Sequence, residues 1–513
     1  MRTSSLSRRT WIQACSATAI TGFHSLFAGE KDQPGNSVTD IGERRELFVD
    51  GALVERMQGC RWVQHPPRDE GIVLRFDQPW EGLFCAYATV IRDGYRYRLY
   101  YRGRPQAGAD GDEGEVTCYA ESLDGRHWVK PPLELYPYRN HRRTNIVLAH
   151  AAPVTHNFCP MLDTRPGVES NQRYKAIGGT IRSGLMAYAS ADGLHWQPMQ
   201  KEPVLSKQMV PFKYMFDSQN LAFWSAFEQR YVCYFRVFHK GVRSIARSTS
   251  DDFLHWSRPV LMEYRHRGKE APREHLYTNQ THPYFRAPHI YISIAARFIP
   301  GRQVLSDEEA RAIGVHPRYF KDTSDAVLMS TRGTSWYERT FLSSFIRPGI
   351  GARNWVSRTN YPALNVVQTG PNEMSVYVNQ DYAQPTAHLR RYSMRLDGFA
   401  SLQADATGGT IVTRPIRFQG DRLWLNFSTS AAGEIRVGLL DGASGQPIAG
   451  YAVEDCQPVI GNEIERAVRW KGGPAVSQVA GRPIRLQFAL RDADLFAYRF
   501  GKSEAASSER AGS

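Results

Sequence analysis

Short runs of alternating apolar and polar residues, rich in Tyr, Phe, Val and Ile, recur from about residue 46 to residue 500, and no long helix-period pattern competes with them. Tyr95–Tyr101, Arg173–Ile177 and Tyr231–Phe235 read as β-strands. Each is followed by a repeated turn. Ser122-Leu123-Asp124-Gly125-Arg126-His127-Trp128 returns as Ser190-Ala191-Asp192-Gly193-Leu194-His195-Trp196. Looser copies run Ser248 to Trp256 and Ser330 to Trp336. Asp-Gly makes a tight connection between two strands, and the Trp opens the next strand. The copies recur every ~60–80 residues, somewhat wider than common propeller repeats.

Strand, strand, turn, strand is one propeller blade, and the chain holds five such units. Their innermost strands are expected near Ala86–Arg92, Asn157–Asp163, Asn220–Ser225, His289–Ala295 and Asn365–Gly370. The strand Glu46–Asp50 is expected to close the ring on the last blade, which removes a sheet edge. Past Asp397 the repeat ends, and short strands such as Leu423–Phe427, Glu434–Leu439 and Pro483–Phe488 predict a β-sandwich. The fold class is therefore all-β: a five-bladed β-propeller over 40–397, then a β-sandwich domain over 398–500. A polar tail, 501–513, is read as disordered. A short helix is expected at Asp307–Ile313, in an insertion before Asp325.

The N-terminus changes the picture of location. Ser7-Arg8-Arg9-Thr10-Trp11-Ile12, followed by a mildly apolar run to Ala28, resembles a twin-arginine export signal over residues 1–30. The expected destination is periplasmic or extracellular. No later stretch is apolar enough to span a bilayer. Beyond Cys15, six cysteines lie singly with no Cys-x-x-Cys pair, which argues against zinc and for buried thiols. The oxidising compartment leaves a disulfide open.

The formal net charge is +13. The basic residues are mostly Arg interleaved with aromatics and acids, unlike the continuous runs of nucleic-acid arms, so no nucleic-acid partner is expected. No Gly-rich phosphate loop and no Gly-x-Ser-x-Gly elbow is present, which excludes the usual nucleotide and α/β-hydrolase signatures.

A five-bladed propeller followed by a sandwich resembles glycoside hydrolase families 32, 43 and 68, and more closely exported propeller proteins of planctomycete type. The blocks that carry the resemblance are Glu46–Asp50, Phe216–Trp224, Glu274–Gln280, Tyr284–His289, Ser428–Gly433 and Arg491–Leu495. The resemblance implies a carbohydrate substrate and carboxylates at the starts of the inner strands: an Asp in the first blade, an Asp in the second, a Glu in the third. This chain departs from that pattern, with no Asp-Pro in the first inner strand and Asn157 in the second.

Glycoside hydrolysis uses two carboxyl groups flanking the scissile bond. Asp217 is the first candidate, as base or nucleophile, because Ser218-Gln219-Asn220 follows it with sugar-binding side chains. Glu274 is the second, as general acid, in a polar run that contains Asn279. Asp50 and Glu81 are held in reserve; Glu81 stands nearest to the first-blade Asp of the resembling families. Asp124 and Asp192 repeat with the blade and are read as turn residues. Gln219, Asn220, Asn279 and Asp325 are candidate substrate ligands. Arg236, Arg243, Arg286, Arg347 and Arg358 offer paired hydrogen bonds to a carboxylate or sulfate. His282, His289 and Tyr361 are candidates to bind substrate or move protons.

No cofactor is expected, although a structural Ca²⁺ stays open, and His275, His282 and His289 lack a tight ligand spacing. The leading expectation is a glycoside hydrolase, with an anionic glycan as one substrate class. A non-catalytic sugar-binding propeller and a lyase-type enzyme using Tyr361 or His289 as base stand beside it. The inverting or retaining course stays open.

Overall fold

The computed structural model describes residues 38–209 and 211–502. The segment read as an export signal, 1–30, and residues 503–513 of the expected tail 501–513 lie outside the described residues, while Gly501 ends a strand. Five separate sheets follow one another along the chain, each with the inner-to-outer strand order that a blade requires, antiparallel except where Glu263–His266 pairs parallel with Trp336–Glu338 at the outside of the fourth. Blade I comprises Ala86–Asp93, Arg96–Gly103, Val116–Ser122 and Ile146–Leu148. Blade II comprises Cys159–Leu162, Tyr174–Gly178, Met186–Ser190 and Gln197–Pro198. Blade III comprises Leu221–Ser225, Arg230–His239, Val242–Ser250 and Val260–Leu261.

Blade IV differs from the expectation. Its innermost element is the broken strand His275–Thr278 and Thr281–Tyr284, while His289 lies on the second strand, Ala287–Pro300. The break sits at Asn279-Gln280, where Gln280 adopts φ 51° and the Asn279 side chain accepts from the Thr281 N–H at 3.0 Å. This kink interrupts the two-residue alternation that would have marked the strand.

Blade V joins Tyr361–Pro362 and Val367–Gln368 to Glu373–Gln380, then His388–Arg395. Its outer strand is Arg68–Arg75, so the ring is closed by a segment from the start of the chain. Glu46–Asp50, expected in that role, has a different partner: Arg45–Leu47 pairs with the long strand Ile484–Gly501. Residues 39–64 are strands of a ten-stranded C-terminal sheet, interleaved with 400–501. Two long strands, Arg422–Asp441 and Ile484–Gly501, run through that sheet, which encloses its own core around Trp470, Phe488 and the stacked pair Phe418 and Phe500.

The repeated turn has one chemistry in three blades. Asp124, Asp192 and Asp252 each accept from the backbone N–H groups two and three residues on, at 2.8–2.9 Å. Each also faces the imidazole of His127, His195 or His255 at 2.6–2.7 Å. Those bonds hold all three carboxyls below their ordinary range although burial opposes it. A tyrosine of the preceding blade seals two of the turns: Tyr100 donates to the Gly193 carbonyl at 3.0 Å, and Tyr377 donates to that of Gly125. The turn residue is left-handed throughout, Gly125 at φ 70°, Gly193 at 77° and Gly333 at 77°, yet blade III uses Phe253 at φ 74°. Phe253 is fully buried against Tyr231 and Trp256, which offsets the strain of a side chain in that region.

Across the channel, polar side chains tie the blades together. Gln219 donates to Thr89 Oγ1 at 2.8 Å and accepts from Gln280 Nε2 at 2.8 Å, and Gln280 also donates to the Pro362 carbonyl. The helix Asp307–Ala312 forms as expected, with a capping box between Ser306 and Glu309. Its insertion packs Leu305, Ala310, Val315, Tyr319 and Phe320 against Phe84, Tyr87, Tyr277, Tyr361 and Tyr382, and so backs one end of the channel. Among the described residues, no helix is long and apolar enough to cross a membrane. The six cysteines beyond Cys15 are free, and five of them are buried.

Candidate active site at the propeller mouth

The inner strands of blades I to V begin at one end of the channel, and their leading residues converge there: Tyr87, His156, Asp217, Tyr277 and Tyr361. Asp217 stands just ahead of the blade III inner strand, about half exposed and ion-paired with Arg236. Arg236, on the second strand of the same blade, is buried and lies 4.5 Å from the centre of the Tyr277 ring. Arg243 and Arg358 approach the same ring at 5.1 and 5.3 Å, and Arg358 Nη1 donates to the Tyr277 hydroxyl at 3.0 Å. Tyr361 packs on Tyr277 with ring centres 5.0 Å apart.

Three guanidinium groups thus surround one phenol, and Asp217 is their one acidic partner among the described residues. The crowding has an electrostatic signature. Burial lowers the pKa of Arg243, and the like charges of Arg236 and Arg358 lower it further. Several buried polar atoms here lack any partner: Arg236 Nη1, Arg358 Nε, Thr278 Oγ1 and the Tyr361 hydroxyl. Unpaired buried donors are costly, so their clustering marks a place built for something to bind. Burial pushes the Tyr87 and Tyr361 phenols far above their ordinary range, so both remain protonated donors.

A second cluster adjoins the first. The loop between the second and third strands of blade I, Gly- and acid-rich from Gln106 to Glu115, brings Asp110 to His156 and Asp217. One ligand atom from each of the three lies within 4.8 Å of the others, the arrangement by which a metal ion could be held. His156 is 1% exposed, and its Nδ1 lies 2.9 and 3.0 Å from the Glu115 carboxylate. Glu115 is in turn paired with Arg104 at 2.7 Å. Burial alone would raise the Glu115 carboxyl, but His156, Arg102 and Arg104 together hold it below its ordinary value. Arg102 stacks 4.7 Å from the centre of the Tyr87 ring.

Of the residues singled out in the sequence, the mouth gathers Asp217, Arg236, Arg243, Arg358 and Tyr361. The rest have other surroundings. Glu274 is bound by Arg297 at 2.8 Å and Arg339 at 2.6 Å, with no contact to Asp217. Asp325 is held by Arg297 through two bonds of 2.8 and 2.6 Å. Glu81 is fully buried beneath blade I, accepting from Tyr101 and from Lys130 at 2.7 Å. Asp50 and Glu46 both grip Arg332, and His289 faces Glu46 at 2.9 Å, so these residues fasten the N-terminal strands to blade IV. Arg286 pairs with Asp397 at 3.0 Å. Arg347 is exposed on an outer cleft shared with Asp325 and Trp355.

Gln219 belongs to the channel network, Asn220 donates to the carbonyls of Phe216 and Ser218, and Asn279 serves the blade IV kink. His275 contacts Arg243, and buried His282 bridges the Gln280 carbonyl and the Val366 N–H, so the three spaced histidines do not meet. The sequence reading missed Asp110, Glu115, His156, Arg102, Tyr87 and Tyr277. Two signals pointed to some of them: the acidic, Gly-rich interruption of blade I, and His156 beside the Asn157 already noted.

No family model matches the chain, and no curated protein matches it. Several solved structures are similar to part of the chain. An N-acetylgalactosamine deacetylase from F. plautii, in complex with blood group B trisaccharide, is 13% identical, covering 68% of this chain and 97% of its own, with a TM-score of 0.43. The catalytic domain of a Coprinopsis cinerea family-62 α-L-arabinofuranosidase is 8% identical over 64% and 97%, at 0.39. An α-L-arabinofuranosidase from Clostridium thermocellum is 11% identical over 60% and 89%, at 0.35. Scores this low leave the chemistry of this mouth to be read from its own residues.

Proposed function

We propose that this is an exported carbohydrate-active hydrolase that cleaves a glycosidic bond in an anionic glycan, uronic or sulfated, at the propeller mouth. The observation that supports the reading is the trio Arg236, Arg243 and Arg358 around Tyr277, with Asp217 as the one acidic partner. A carboxylate or sulfate supplies the missing negative charge and accepts from the unpaired guanidinium and phenol donors. Asp217 is the carboxylate placed to act on the sugar so bound. Its acidic neighbour is Asp110, not Glu274. A lyase-type mechanism with Tyr361 as base is disfavoured, because burial keeps that phenol protonated.

The test is product release from a panel of neutral, uronic and sulfated oligosaccharides, with wild type beside Asp217→Asn and Arg358→Met. The expected result is cleavage confined to anionic members, abolished by Asp217→Asn and weakened chiefly in KM by Arg358→Met. Equal cleavage of neutral sugars, or cleavage indifferent to both substitutions, overturns the reading.

A further inference from the structure

Asp110, His156 and Asp217 come from three different blades, yet one ligand atom of each lies within a 4.8 Å span. Nitrogen and oxygen ligands bind ions such as zinc at about 2.0–2.2 Å, so two ligands of one ion stand at most ~4 Å apart. A small side-chain rotation closes the trio on an ion. Both carboxylates are half exposed, at 52% and 50%, so they can rotate and leave coordination positions open to solvent.

The imidazole supplies the independent observation. Its shortest contacts are from Nδ1 to the two oxygens of Glu115, at 2.9 and 3.0 Å, ahead of the Arg102 and Gly111 donors at 3.2 and 3.3 Å. With its proton on Nδ1, facing the Glu115 carboxylate, the ring offers Nε2 as the ligand atom. That Nε2 is fully buried and has no hydrogen-bond partner. A metal-ligating histidine has this arrangement: one ring nitrogen on a carboxylate, the other on the ion. A buried acceptor with nothing to accept is otherwise a net cost.

Four carboxylates, Asp110, Asp112, Asp217 and Glu115, face the three guanidinium groups of Arg102, Arg104 and Arg236. The imidazole nitrogen selects the kind of ion, favouring Zn²⁺ over the oxygen-seeking Mn²⁺ and Ca²⁺. We propose that Asp110, His156 and Asp217 hold a divalent transition-metal ion at the mouth, with Glu115 orienting the histidine. The inference rests on the reading of this mouth as the reacting centre, and it gives that centre an electrophile beside the arginine cradle. An anionic group held by Arg236 and Arg358 lies next to the ion through Asp217.

The experiment is isothermal titration of the chelator-stripped full chain with ZnCl₂, MnCl₂ and CaCl₂. One equivalent of Zn²⁺ is expected to bind more tightly than Mn²⁺ or Ca²⁺. Asp110→Asn and Asp217→Asn, both at half-exposed positions that leave folding intact, should weaken binding at least tenfold. Glu115→Gln should weaken it by about 10- to 100-fold. Asp124→Asn, in the Asp-His pair of a repeated turn, should change nothing. No stoichiometric binding to wild type, or binding unaltered by Asp110→Asn and Asp217→Asn, overturns the proposal. Arginine-dependent binding of an anionic sugar is measured separately on the stripped protein. Its survival when metal binding fails sinks the ion site alone, and its loss with metal binding intact sinks the anion reading alone.

Discussion

Glu274→Gln separates a structural carboxylate from a catalytic one. Glu274 accepts from Arg297 Nη1 at 2.8 Å and from Arg339 Nη1 at 2.6 Å. Arg297 keeps Asp325 when the charge at 274 is removed, but Arg339 does not have a second acid. Arg339 is 1% exposed, and its Nε and Nη2 already lack partners. Breaking a buried ion pair costs about 3–5 kcal/mol, and an exposed one at most about 1 kcal/mol. Glu274 itself is about one-fifth exposed, and glutamine retains an acceptor, so a loss of about 2 kcal/mol is expected. Urea unfolding followed by tryptophan fluorescence reads it as a lower midpoint at unchanged slope. Arg339→Met in the same background should recover part of the loss, because the unpaired charge is then gone. Turnover of the anionic oligosaccharide per folded molecule should stay within about twofold of wild type. A thousandfold fall in kcat with an unmoved urea midpoint would refute the reasoning and return Glu274 to the role of general acid.

Three other outcomes are expected. His282 is buried with its pKa pushed down to about 4 by desolvation, against 6.5 in the unfolded chain. Between those values the unfolded state binds the extra proton, so stability falls as pH drops from 6.5 to 4, by at most about 3 kcal/mol from this group. His282→Gln should flatten that part of the stability-pH profile measured by urea titration at each pH. Arg243→Met removes a half-buried guanidinium crowded by Arg236 and Arg358, and should raise unfolding free energy by up to about 1 kcal/mol. The same change should weaken an anionic sugar about 10- to 100-fold by calorimetry, a trade of affinity for stability. Phe253→Gly relieves about 1–2 kcal/mol of left-handed strain but loses a buried ring worth about 3–5 kcal/mol, so a net loss of about 2–3 kcal/mol is expected in urea unfolding. The reverse change at Gly125 has no room, since a Cβ there would meet Thr369 Cγ2 at 2.8 Å and the Tyr377 hydroxyl at 2.9 Å.

What the sequence determined by itself is local. Asp-Gly turns, the tryptophans after them and two-residue alternation are short-range features, and they suffice for five blades and for the structural role of Asp124 and Asp192. Asp217 was legible for the same reason, as a polar residue just ahead of an apolar strand, and Arg236, Arg243 and Arg358 as charges near strand ends. Tertiary structure decided everything that depends on partners far away in the chain. Ring closure went to Arg68–Arg75, because Arg45–Leu47 found a longer edge in the C-terminal strand Ile484–Gly501. Glu274 and Asp325 took charged partners on neighbouring strands, and Asp50 and His289 joined a junction with Glu46 and Arg332. Asp110, Glu115 and His156 are separated by up to 46 positions in the sequence, and only the packing of blades I, II and III around one channel brings Asp110 and His156 to Asp217. A lone charged residue carries the same letter whether it faces a substrate or an arginine. What distinguishes the two is the pairing, and the pairing exists only once the chain has folded.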